Sequence, residues 1–445
     1  MDLFDRVSRN VVKLPAISNV LIVTKPDPKL NKLTKELSIW LLETFPELTL
    51  LVDKRLEDTS SFKYNEIIEQ CPSWKQRLRF WGCEVDHNIV PEDVHLAITL
   101  GGDGTVLYTT SMFQRRVPPL LAFHLGSLGF LTNFDFATYR ATLTNILQGE
   151  GMNVNIRMRL QCSVYKNQDP SCTRLIESMA ESGNTSESDD ESRSLEEEKA
   201  QREQSHFEQI LRNVRRMDSK QGAQNIDLSM PREQTLNGSS GDGSNGQHMG
   251  NNDVALTSPT FTRELTPSSP LSEAMDKYMM PTDTWQVLNE VTVDRGSNAG
   301  MLQLALYVDG IPVTTILADG LVIATATGST AYALSIGGSL IHPEKNSIII
   351  APIAPHSLTA RPMIIPGTKR LRVCVPGSSR TTAWASFDGR HRQELHLGDS
   401  VMITASRYPA CTICRTDQST DWFKGLTEVL NWNSRALQKP YGPHL

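Results

Sequence analysis

A glycine-rich turn that carries one carboxylate is the stretch of this chain best suited to chemistry. Residues 101–105, the glycine turn, read Gly-Gly-Asp-Gly-Thr and follow an apolar run that ends at Leu100. Glycines let the backbone approach a phosphate closely and point N–H groups at it, and Asp103 adds a carboxylate at the centre. The turn therefore indicates phosphate chemistry, while an ordinary β-turn explains the same residues about as well.

Groups that suit a nucleotide recur beyond residue 280. Asn289 and Glu290 supply an amide and a carboxylate for ribose hydroxyls, or form a solvated turn. Residues 327–332, the tyrosine turn, read Thr-Gly-Ser-Thr-Ala-Tyr and offer hydroxyls, backbone donors and an aromatic face for a base, or a plain helix N-cap. Residues 386–390, Ser-Phe-Asp-Gly-Arg, place an acid beside a guanidinium, or form a hairpin turn.

The glycine turn lies within an alternation of strands and helices between residues 19 and 149. Apolar runs predict buried strands and leucines at helical spacing predict helices. The predicted strands are 20–24, 48–52, 94–100 and 120–123, and the predicted helices are 29–45 and 106–113. This β-α-β repetition predicts a parallel sheet with helices on its faces. Ligands of such sheets lie beyond the carboxyl ends of strands, where the glycine turn and the loop 124–130 both fall.

The second half has the pattern of an all-β domain. Short β-rich runs separated by glycine and proline predict a sandwich or barrel. The predicted strands are 155–165, 287–293, 302–308, 313–317, 321–325, 348–350, 371–375, 382–387 and 401–404. A final amphipathic helix over 422–432 is expected to pack back on the body.

Residues 167–283 interrupt this domain with sequence rich in Ser, Gly, Asn, Glu and Pro. Such a segment cannot bury enough apolar surface to offset its ordering entropy, so we expect it to be disordered. Residues 215–219 resemble a basophilic protein-kinase site, and Ser258, Thr266 and Ser269 each precede a proline. The insert is therefore either a regulatory segment phosphorylated by protein kinases or an inert linker.

The predicted domains follow these boundaries. An α/β domain with the catalytic glycine turn covers 1–150, and the C-terminal helix within 421–445 packs on it. A β-rich domain is formed by 151–166 and 284–420, and the insert is 167–283.

Length and composition bound the class of protein. A chain of 445 residues is long enough for two domains. A net charge of −6 argues against a protein that binds nucleic acid. Seven sparse cysteines and an N-terminus without an apolar signal lead us to expect a cytoplasmic protein. The close pair Cys411 and Cys414 has no second pair beside it, which favours structural cysteines over a metal site. No apolar run approaches the length of a membrane span, so no membrane partner is expected.

The chemistry-bearing stretches together resemble the motifs of the ATP-dependent NAD kinases, in the same order. The matching stretches are Gly-Gly-Asp-Gly-Thr at 101–105, Leu-Gly-Ser-Leu-Gly-Phe-Leu-Thr-Asn-Phe at 125–134, Asn-Glu-Val at 289–291, Asp-Gly at 319–320, the tyrosine turn, and Pro-His-Ser-Leu-Thr-Ala-Arg-Pro at 355–362. Residues 386–390 and 421–423 resemble the eukaryotic branch of that family. The resemblance covers essentially everything except the insert.

This resemblance implies a fold and a reaction. The fold is an α/β N-terminal domain with a parallel sheet plus an all-β C-terminal domain, with the dinucleotide bound in the cleft between them. The reaction transfers the γ-phosphate of ATP to the 2′-hydroxyl of the adenosine ribose of NAD and forms NADP. Phosphoryl transfer of this kind requires a divalent cation, normally Mg²⁺. The family also implies a homodimer or homotetramer.

The resemblance further implies roles for particular residues. Asp103 matches the catalytic aspartate, either as the base that takes the hydroxyl proton or as a group that orients the hydroxyl. The nucleotide-binding positions are Gly101, Gly102, Gly104, Thr105, Asn289, Glu290, Asp319, Thr330, Ala331, Tyr332 and Ser335. No metal ligand is assigned. Bacterial members often carry proline at the position of Ala326 and arginine at the position of Leu317. The second departure puts a cationic contact to NAD at residue 317 in doubt.

Two other functions remain open from the residues alone. A lipid kinase of the diacylglycerol or sphingosine type carries a similar glycine turn, but would be expected to lack the tyrosine turn. A dinucleotide-binding regulator without activity would have no need of Asp103. An ATP-dependent assay that compares NAD with a lipid as acceptor separates these functions.

Overall fold

Strands and helices alternate in the first half of the chain, and the second half consists mostly of strands. The computed structural model describes residues 11–12, 17–82, 93–148, 152–167 and 281–434. The helices are α1 Pro28–Thr44, α2 Tyr64–Gln70, α3 Asp103–Met112, α4 Tyr139–Leu147, α5 Tyr332–Ser335 and α6 Gln418–Glu428, with 3₁₀ helices at Lys54–Leu56, Pro72–Gln76, Phe136–Thr138 and Thr327–Thr330. The strands are β1 Val11–Val12, β2 Asn19–Thr24, β3 Thr49–Asp53, β4 Leu78–Trp81, β5 Leu96–Leu100, β6 Leu120–His124, β7 Phe134–Asp135, β8 Met152–Arg157, β9 Leu160–Tyr165, β10 Asp283–Val287, β11 Glu290–Asp294, β12 Leu302–Val308, β13 Ile311–Ala318, β14 Gly320–Thr325, β15 Ser347–Ile353, β16 Met363–Pro366, β17 Leu371–Cys374, β18 Ala383–Phe387, β19 Arg390–Leu395, β20 Ser400–Ala405 and β21 Ala410–Ile413.

A mostly parallel sheet organises the N-terminal half, as the sequence predicts. Its strand order is β1-β8-β21-β6-β5-β2-β3-β4, with β7 beside β6. The strands from β4 to β6 pair in parallel, and every residue of β5 is buried. Burial on both faces explains why the central strands β2, β5 and β6 are mostly apolar in sequence.

Helix α1 illustrates how local sequence builds this half. The side chain of Asp27 accepts a hydrogen bond from the backbone N–H of Lys29, and Pro28 occupies the first turn, which together fix the start of the helix. Leu37 and Leu41 lie one turn apart and are fully buried in the core beside the sheet. The predicted helix over 29–45 is therefore confirmed within one residue at either end.

Two antiparallel sheets form the β-rich half and confirm the all-β prediction. Their strand orders are β10-β9-β20-β17-β12-β13 and β16-β15-β14-β11-β18-β19. Alternate residues of both sheets point into one apolar core, in which Phe387 is among the largest fully buried side chains.

The prediction of one strand over 155–165 is wrong, because the chain changes sheets there. Strand β8 pairs with β21 in the first sheet, whereas β9 pairs with β10 and β20 in the second. Arg159, at the break, is fully buried and donates hydrogen bonds to the carbonyls of Phe113, Arg115 and Tyr408. The predicted strand over 287–293 is likewise two strands, β10 and β11.

Strands β9 and β10 pair directly although more than a hundred residues separate them in the chain. The Cα partners include Val164 with Asp283 and Leu160 with Val287. The insertion point is thus the turn of a hairpin, where long insertions cost little closure entropy. The predicted disorder and phosphorylation sites of the insert lie outside the described residues.

Helix α6 contacts the loop that follows β6. A Cβ atom at Gly425 would lie 3.1 Å from the ring of Phe130, and Asn133 donates a hydrogen bond to Asp421. The C-terminal helix therefore packs on the N-terminal half, although it begins at Gln418 rather than 422. Within the described ranges, no helix combines the length and apolar character needed to cross a membrane.

Candidate functional site

The glycine turn lies at the carboxyl end of β5 and leads directly into α3. The backbone N–H of Gly101 donates to the carbonyl of Phe123 at the end of β6, and Lys25 donates in the same way to Leu100. A Cβ atom at Gly101 would lie 2.3 Å from the Thr105 hydroxyl, so only glycine permits this turn. Gly102 and Gly104 are exposed, which leaves their backbone open to a ligand.

Asp103, the first residue of α3, is held by the loop after β6. Its carboxylate accepts hydrogen bonds from the backbone N–H of Phe130 at 2.9 Å and of Leu131 at 3.0 Å, and from the Thr132 hydroxyl at 3.2 Å. A Cβ atom at Gly129 would lie 2.1 Å from the carboxylate, so this glycine allows the loop to approach. A carboxylate has about four acceptor positions, so one remains for a ligand.

A cavity of about 500 Å³ opens beside the glycine turn. Its lining combines three cationic side chains with the turn itself: Thr24, Lys25, Pro26, Arg55, Gly102, Gly104, Thr105, Tyr108 and Arg390. We call it the cation cavity. Its chemistry suits a polyanion, because guanidinium, ammonium and backbone N–H groups are all donors.

The tyrosine turn is packed against the backbone of Asn289. A Cβ atom at Gly328 would lie 2.3 Å from the Asn289 carbonyl oxygen, so the close approach requires glycine. Thr325, at the end of β14, donates its backbone N–H to Asn289 and its hydroxyl to Leu288, and its hydroxyl accepts from Gly328. These contacts explain why a small-residue turn stands at this point of the sequence.

Asn289 and Glu290 each present a buried oxygen without a partner. Neither Asn289 Oδ1 nor Glu290 Oε2 has a hydrogen-bond partner among the described residues. Burial, followed by the nearby charge of Asp388, raises the pKa of Glu290 to about 8, although a hydrogen bond with the Tyr332 backbone opposes this. Because buried polar atoms are normally satisfied by protein, ligand or ordered water, these two neighbouring oxygens are free to accept hydrogen bonds from a polar ligand.

Asp388 holds these two residues in place. Its carboxylate accepts hydrogen bonds from the backbone N–H groups of Leu288 at 2.7 Å, Asn289 at 2.8 Å and Glu290 at 3.1 Å. Burial raises its pKa to about 6 against these hydrogen bonds, which lower it. Positive φ angles at Asp388 and Gly389 identify a tight hairpin turn between β18 and β19. The hairpin interpretation of this motif is therefore confirmed, and its contact with a polar ligand stays a prediction.

Tyr332 lies among three carboxylates. Burial raises its pKa first, and the charges of Asp294, Glu290 and Asp319 raise it further. Asp319 is half-exposed and pairs with Arg295 at 2.9 Å. The structure thus brings together Asn289, Glu290, Asp319 and Tyr332 at one place.

The remaining positions of the tyrosine turn have mainly local contacts. The Thr330 hydroxyl donates to the Thr327 carbonyl, and the Ala331 N–H donates to Gly328. Ser335 is exposed at the end of α5. These contacts stabilise the turn and leave its outer side accessible.

One buried arginine and one contact between a guanidinium and an aromatic ring link the two halves of the chain. Arg157 in β8 donates to Thr327 of the tyrosine turn at 3.4 Å, and the charge of Asp103 opposes the lowering of its pKa by burial. The Arg390 guanidinium lies 4.8 Å from the ring centre of Tyr108 in α3. Sequence reasoning missed Arg157, Lys25 and Arg55, because isolated basic residues carry no local signal.

No group of three or more His, Cys, Asp or Glu side chains within the described ranges is arranged to hold a metal ion. Mg²⁺ that accompanies a nucleotide needs only one or two protein carboxylates, since the phosphates and water supply its other ligands. Asp103 is such a carboxylate, so the residues at the glycine turn fit an ion that arrives with a triphosphate.

Comparison with known proteins places both halves of the chain in one family. Residues 20–151 match the ATP-NAD kinase N-terminal domain, and residues 288–414 match the ATP-NAD kinase C-terminal domain. The chain is 33% identical over 439 residues to the NAD(+) kinase of Saccharomyces cerevisiae, covering 98% of this chain and 63% of that protein. It is also 33% identical to an uncharacterized kinase of Schizosaccharomyces pombe, covering 94% of this chain and 81% of that protein. The chain thus spans less than two thirds of its Saccharomyces relative.

A solved structure has the same fold. The crystal structure of yeast NADH kinase in complex with NADH superimposes with a TM-score of 0.64 and covers 95% of this chain and 90% of that one. At 23% sequence identity this likeness concerns the fold alone.

Proposed function

The chain belongs to the ATP-NAD kinase family, and on that premise we propose that it transfers the γ-phosphate of ATP to the 2′-hydroxyl of the adenosine ribose of NAD, forming NADP. The glycine turn is the donor side of the site. The tyrosine turn, with Asn289 and Glu290, is the acceptor side.

The observation that carries this proposal is the pair of unpartnered oxygens on Asn289 and Glu290. A ribose presents hydroxyl donors and a nicotinamide or adenine presents amino and amide donors, which are the partners that these oxygens lack. The exposed face of Tyr332 beside them is suited to stack on a base. A lipid acceptor would supply few such donors.

In the proposed step, the 2′-oxygen forms a bond to the γ-phosphorus while the bond from that phosphorus to the β–γ bridging oxygen breaks. ADP leaves, and the hydroxyl proton passes to an acceptor within hydrogen-bond reach. Asp103 is the carboxylate at the donor side, and its free acceptor position is suited to bind this hydroxyl. Whether it removes the proton or orients the hydroxyl, it acts on the same atom.

When bound with the triphosphate, Mg²⁺ would neutralise negative charge on the phosphate oxygens. The one free acceptor position of Asp103 would be taken either by this ion or by the ribose hydroxyl. A cytoplasmic location, a homodimer or homotetramer and phosphorylation by protein kinases remain proposals that follow from the sequence.

An acceptor comparison tests the function. The purified chain is incubated with ATP and Mg²⁺ and, in parallel, NAD, NADH or diacylglycerol, and phosphorylated products are measured by mass spectrometry. We expect NADP to be formed from NAD. The reaction with NADH shows whether the reduced dinucleotide is also an acceptor, which is the activity named for the yeast NADH kinase. Phosphorylation of the lipid alone, or of no acceptor, would overturn the proposal.

A further inference from the structure

We propose that the cation cavity binds the triphosphate chain of the phosphoryl donor through Lys25, Arg55 and Arg390, and that it recognises the phosphates rather than the base. This inference rests on the proposed function and extends it to the donor. The ligand class is a linear triphosphate, either as part of a nucleotide or as the inorganic ion.

The three cations come from three different elements and meet beside the glycine turn. Lys25 follows β2, Arg55 lies in the short helix after β3, and Arg390 begins β19 of the other half. Neighbouring parallel strands end at the same edge of their sheet, which is why the first two come together. Charge gathered from separate elements indicates a constructed anion site rather than a run of solvated basic residues.

The cations differ in how much of their charge is already compensated. Among the described residues, Lys25 and Arg390 form no ion pair. The Arg55 Nε atom lies 3.0 Å from both carboxylate oxygens of Asp53, so its guanidinium is held in one orientation. Ordered guanidinium groups bind phosphate oxygens well, because little side-chain entropy is lost when the ligand arrives.

The aromatic wall of the cavity argues against recognition of a base. Tyr108 is the aromatic residue among those that line it, and the Arg390 guanidinium lies 4.8 Å from the centre of its ring. A cation over the ring occupies one of its two faces, so a base could not stack on that face. The lining therefore offers three cations and backbone donors to a phosphate chain, against one tyrosine ring that already has a guanidinium on one face.

Arg390 makes donor binding depend on both halves of the molecule. It lies two residues after Asp388, which fixes Asn289 and Glu290 on the acceptor side. In this hairpin turn, Asp388 positions the backbone of the two acceptor-side residues, and Arg390 lines the cation cavity. This arrangement aligns the two substrates through one short rigid segment.

The test measures binding without any acceptor, so that it is independent of catalysis. Sodium tripolyphosphate and a non-hydrolysable ATP analogue are titrated calorimetrically into the wild-type chain and the variants Lys25→Met, Arg55→Met, Arg55→Lys and Lys54→Met. Lys54 is an exposed neighbour of Arg55 that does not line the cavity and serves as the matched control. Thermal unfolding and NAD binding are measured for every variant to detect loss of structure.

We expect tripolyphosphate and the ATP analogue to bind the wild-type chain. Lys25→Met and Arg55→Met should each raise both dissociation constants about tenfold or more, the effect of losing a charge-assisted hydrogen bond. Arg55→Lys should have a smaller effect, and Lys54→Met none. Because Arg55→Met also removes the guanidinium partner of Asp53, Lys25→Met is the decisive variant.

Binding of the ATP analogue without binding of tripolyphosphate would overturn the inference, and so would unchanged dissociation constants in Lys25→Met. If the expected binding pattern appears but no NADP is formed, the proposed function fails and the anion site stands. If NADP is formed normally while Lys25→Met binds both ligands as the wild type does, the inference alone fails.

Discussion

The glycine turn and the tyrosine turn differ in how the hydrogen bonds of their polar groups are satisfied. At the glycine turn the carboxylate of Asp103 is nearly saturated by donors from its own half of the chain, and an open cavity lies beside it. At the tyrosine turn the oxygens of Asn289 and Glu290 are buried and lack partners. Buried polar groups whose hydrogen bonds are satisfied form a rigid support, whereas unsatisfied ones are open to a ligand or an ordered water.

The two turns also differ in what holds them. The contacts of Asp103 come from a loop fewer than thirty residues away in the chain. Asn289 and Glu290 are held by Asp388, about a hundred residues further on. The donor side is thus built locally, and the acceptor side depends on the assembled β sandwich.

The largest effect is expected from Asp103→Asn. The amide keeps the size of the carboxylate but loses its basicity and one acceptor oxygen, so turnover should fall by about two to four orders of magnitude. Because this side chain also anchors the loop 130–132, some loss of thermal stability is expected as well. Steady-state kinetics with NAD and ATP, together with thermal unfolding, measure both effects.

Thr132→Val is the matched control for the structural part of that effect. It removes one of the three hydrogen bonds to Asp103 without changing the carboxylate or the size of the buried side chain. We expect lower stability with turnover within about threefold of the wild type. If Thr132→Val loses as much turnover as Asp103→Asn, the carboxylate has a structural role alone.

A smaller and more selective effect is expected from Asp388→Asn. One amide nitrogen would face backbone N–H groups, so Asn289 and Glu290 should lose their positions, and KM for NAD should rise about 10-fold to 100-fold. Asp309→Asn is the matched control, because Asp309 also has a positive φ and accepts a backbone hydrogen bond, from Arg370, in a hairpin of the same half. An equal rise in KM for Asp309→Asn would show that general destabilisation is responsible.

Glu290→Gln should change how stability depends on pH. The folded chain holds the Glu290 proton up to a pKa of about 8, whereas the unfolded chain loses it near the ordinary value of 4.5. Between these values the unfolded state binds fewer protons, so the free energy of unfolding falls as pH rises toward 8, by about 1.4 kcal/mol for each unit by which the pKa is raised. Denaturant unfolding at pH 6 and pH 9 should show a smaller decrease for Glu290→Gln than for the wild type, and an equal decrease would contradict the burial of this carboxyl group.

The smallest effect is expected from Leu317→Arg, which introduces the arginine of bacterial family members. Asp319, two residues later, already pairs with Arg295 at 2.9 Å, so a cation is supplied by the residue that follows β11. We expect KM for NAD to change by less than about threefold, the size of an exposed ion-pair effect. A tenfold improvement would show that the acceptor side lacks a cationic contact.

Local pattern accounts for most of the fold and for the glycine turn. The four buried residues of β2, 20–23, are all apolar, and β5 is apolar except for Thr99, because both faces of these strands are buried. The N-cap and the leucine spacing of α1 are likewise visible in the local sequence. The motifs 101–105 and 327–332 were also visible as short runs, although their proximity was implied by the family resemblance rather than by their spacing.

Contacts over long sequence separations could not be predicted in this way. The switch between sheets at Arg159 depends on carbonyls near residues 113 and 408, and nothing in the local sequence distinguishes this arginine from a surface one. Strand β21 joins the first sheet although it follows the strands of the second. Lys25, Arg55 and Arg390 become a cluster only when three elements are brought together.

The central claim is that one site transfers a phosphoryl group from the glycine turn to a dinucleotide at the tyrosine turn. The most direct measurement uses ATP labelled on its γ-phosphate, with NAD and Mg²⁺, and locates the label in the product by mass spectrometry after cleavage of the dinucleotide. The account predicts that the label lies on the 2′-position of the adenosine ribose and that Asp103→Asn slows its appearance by about two to four orders of magnitude. Release of labelled free phosphate without labelled NADP, or label at another position, would contradict it.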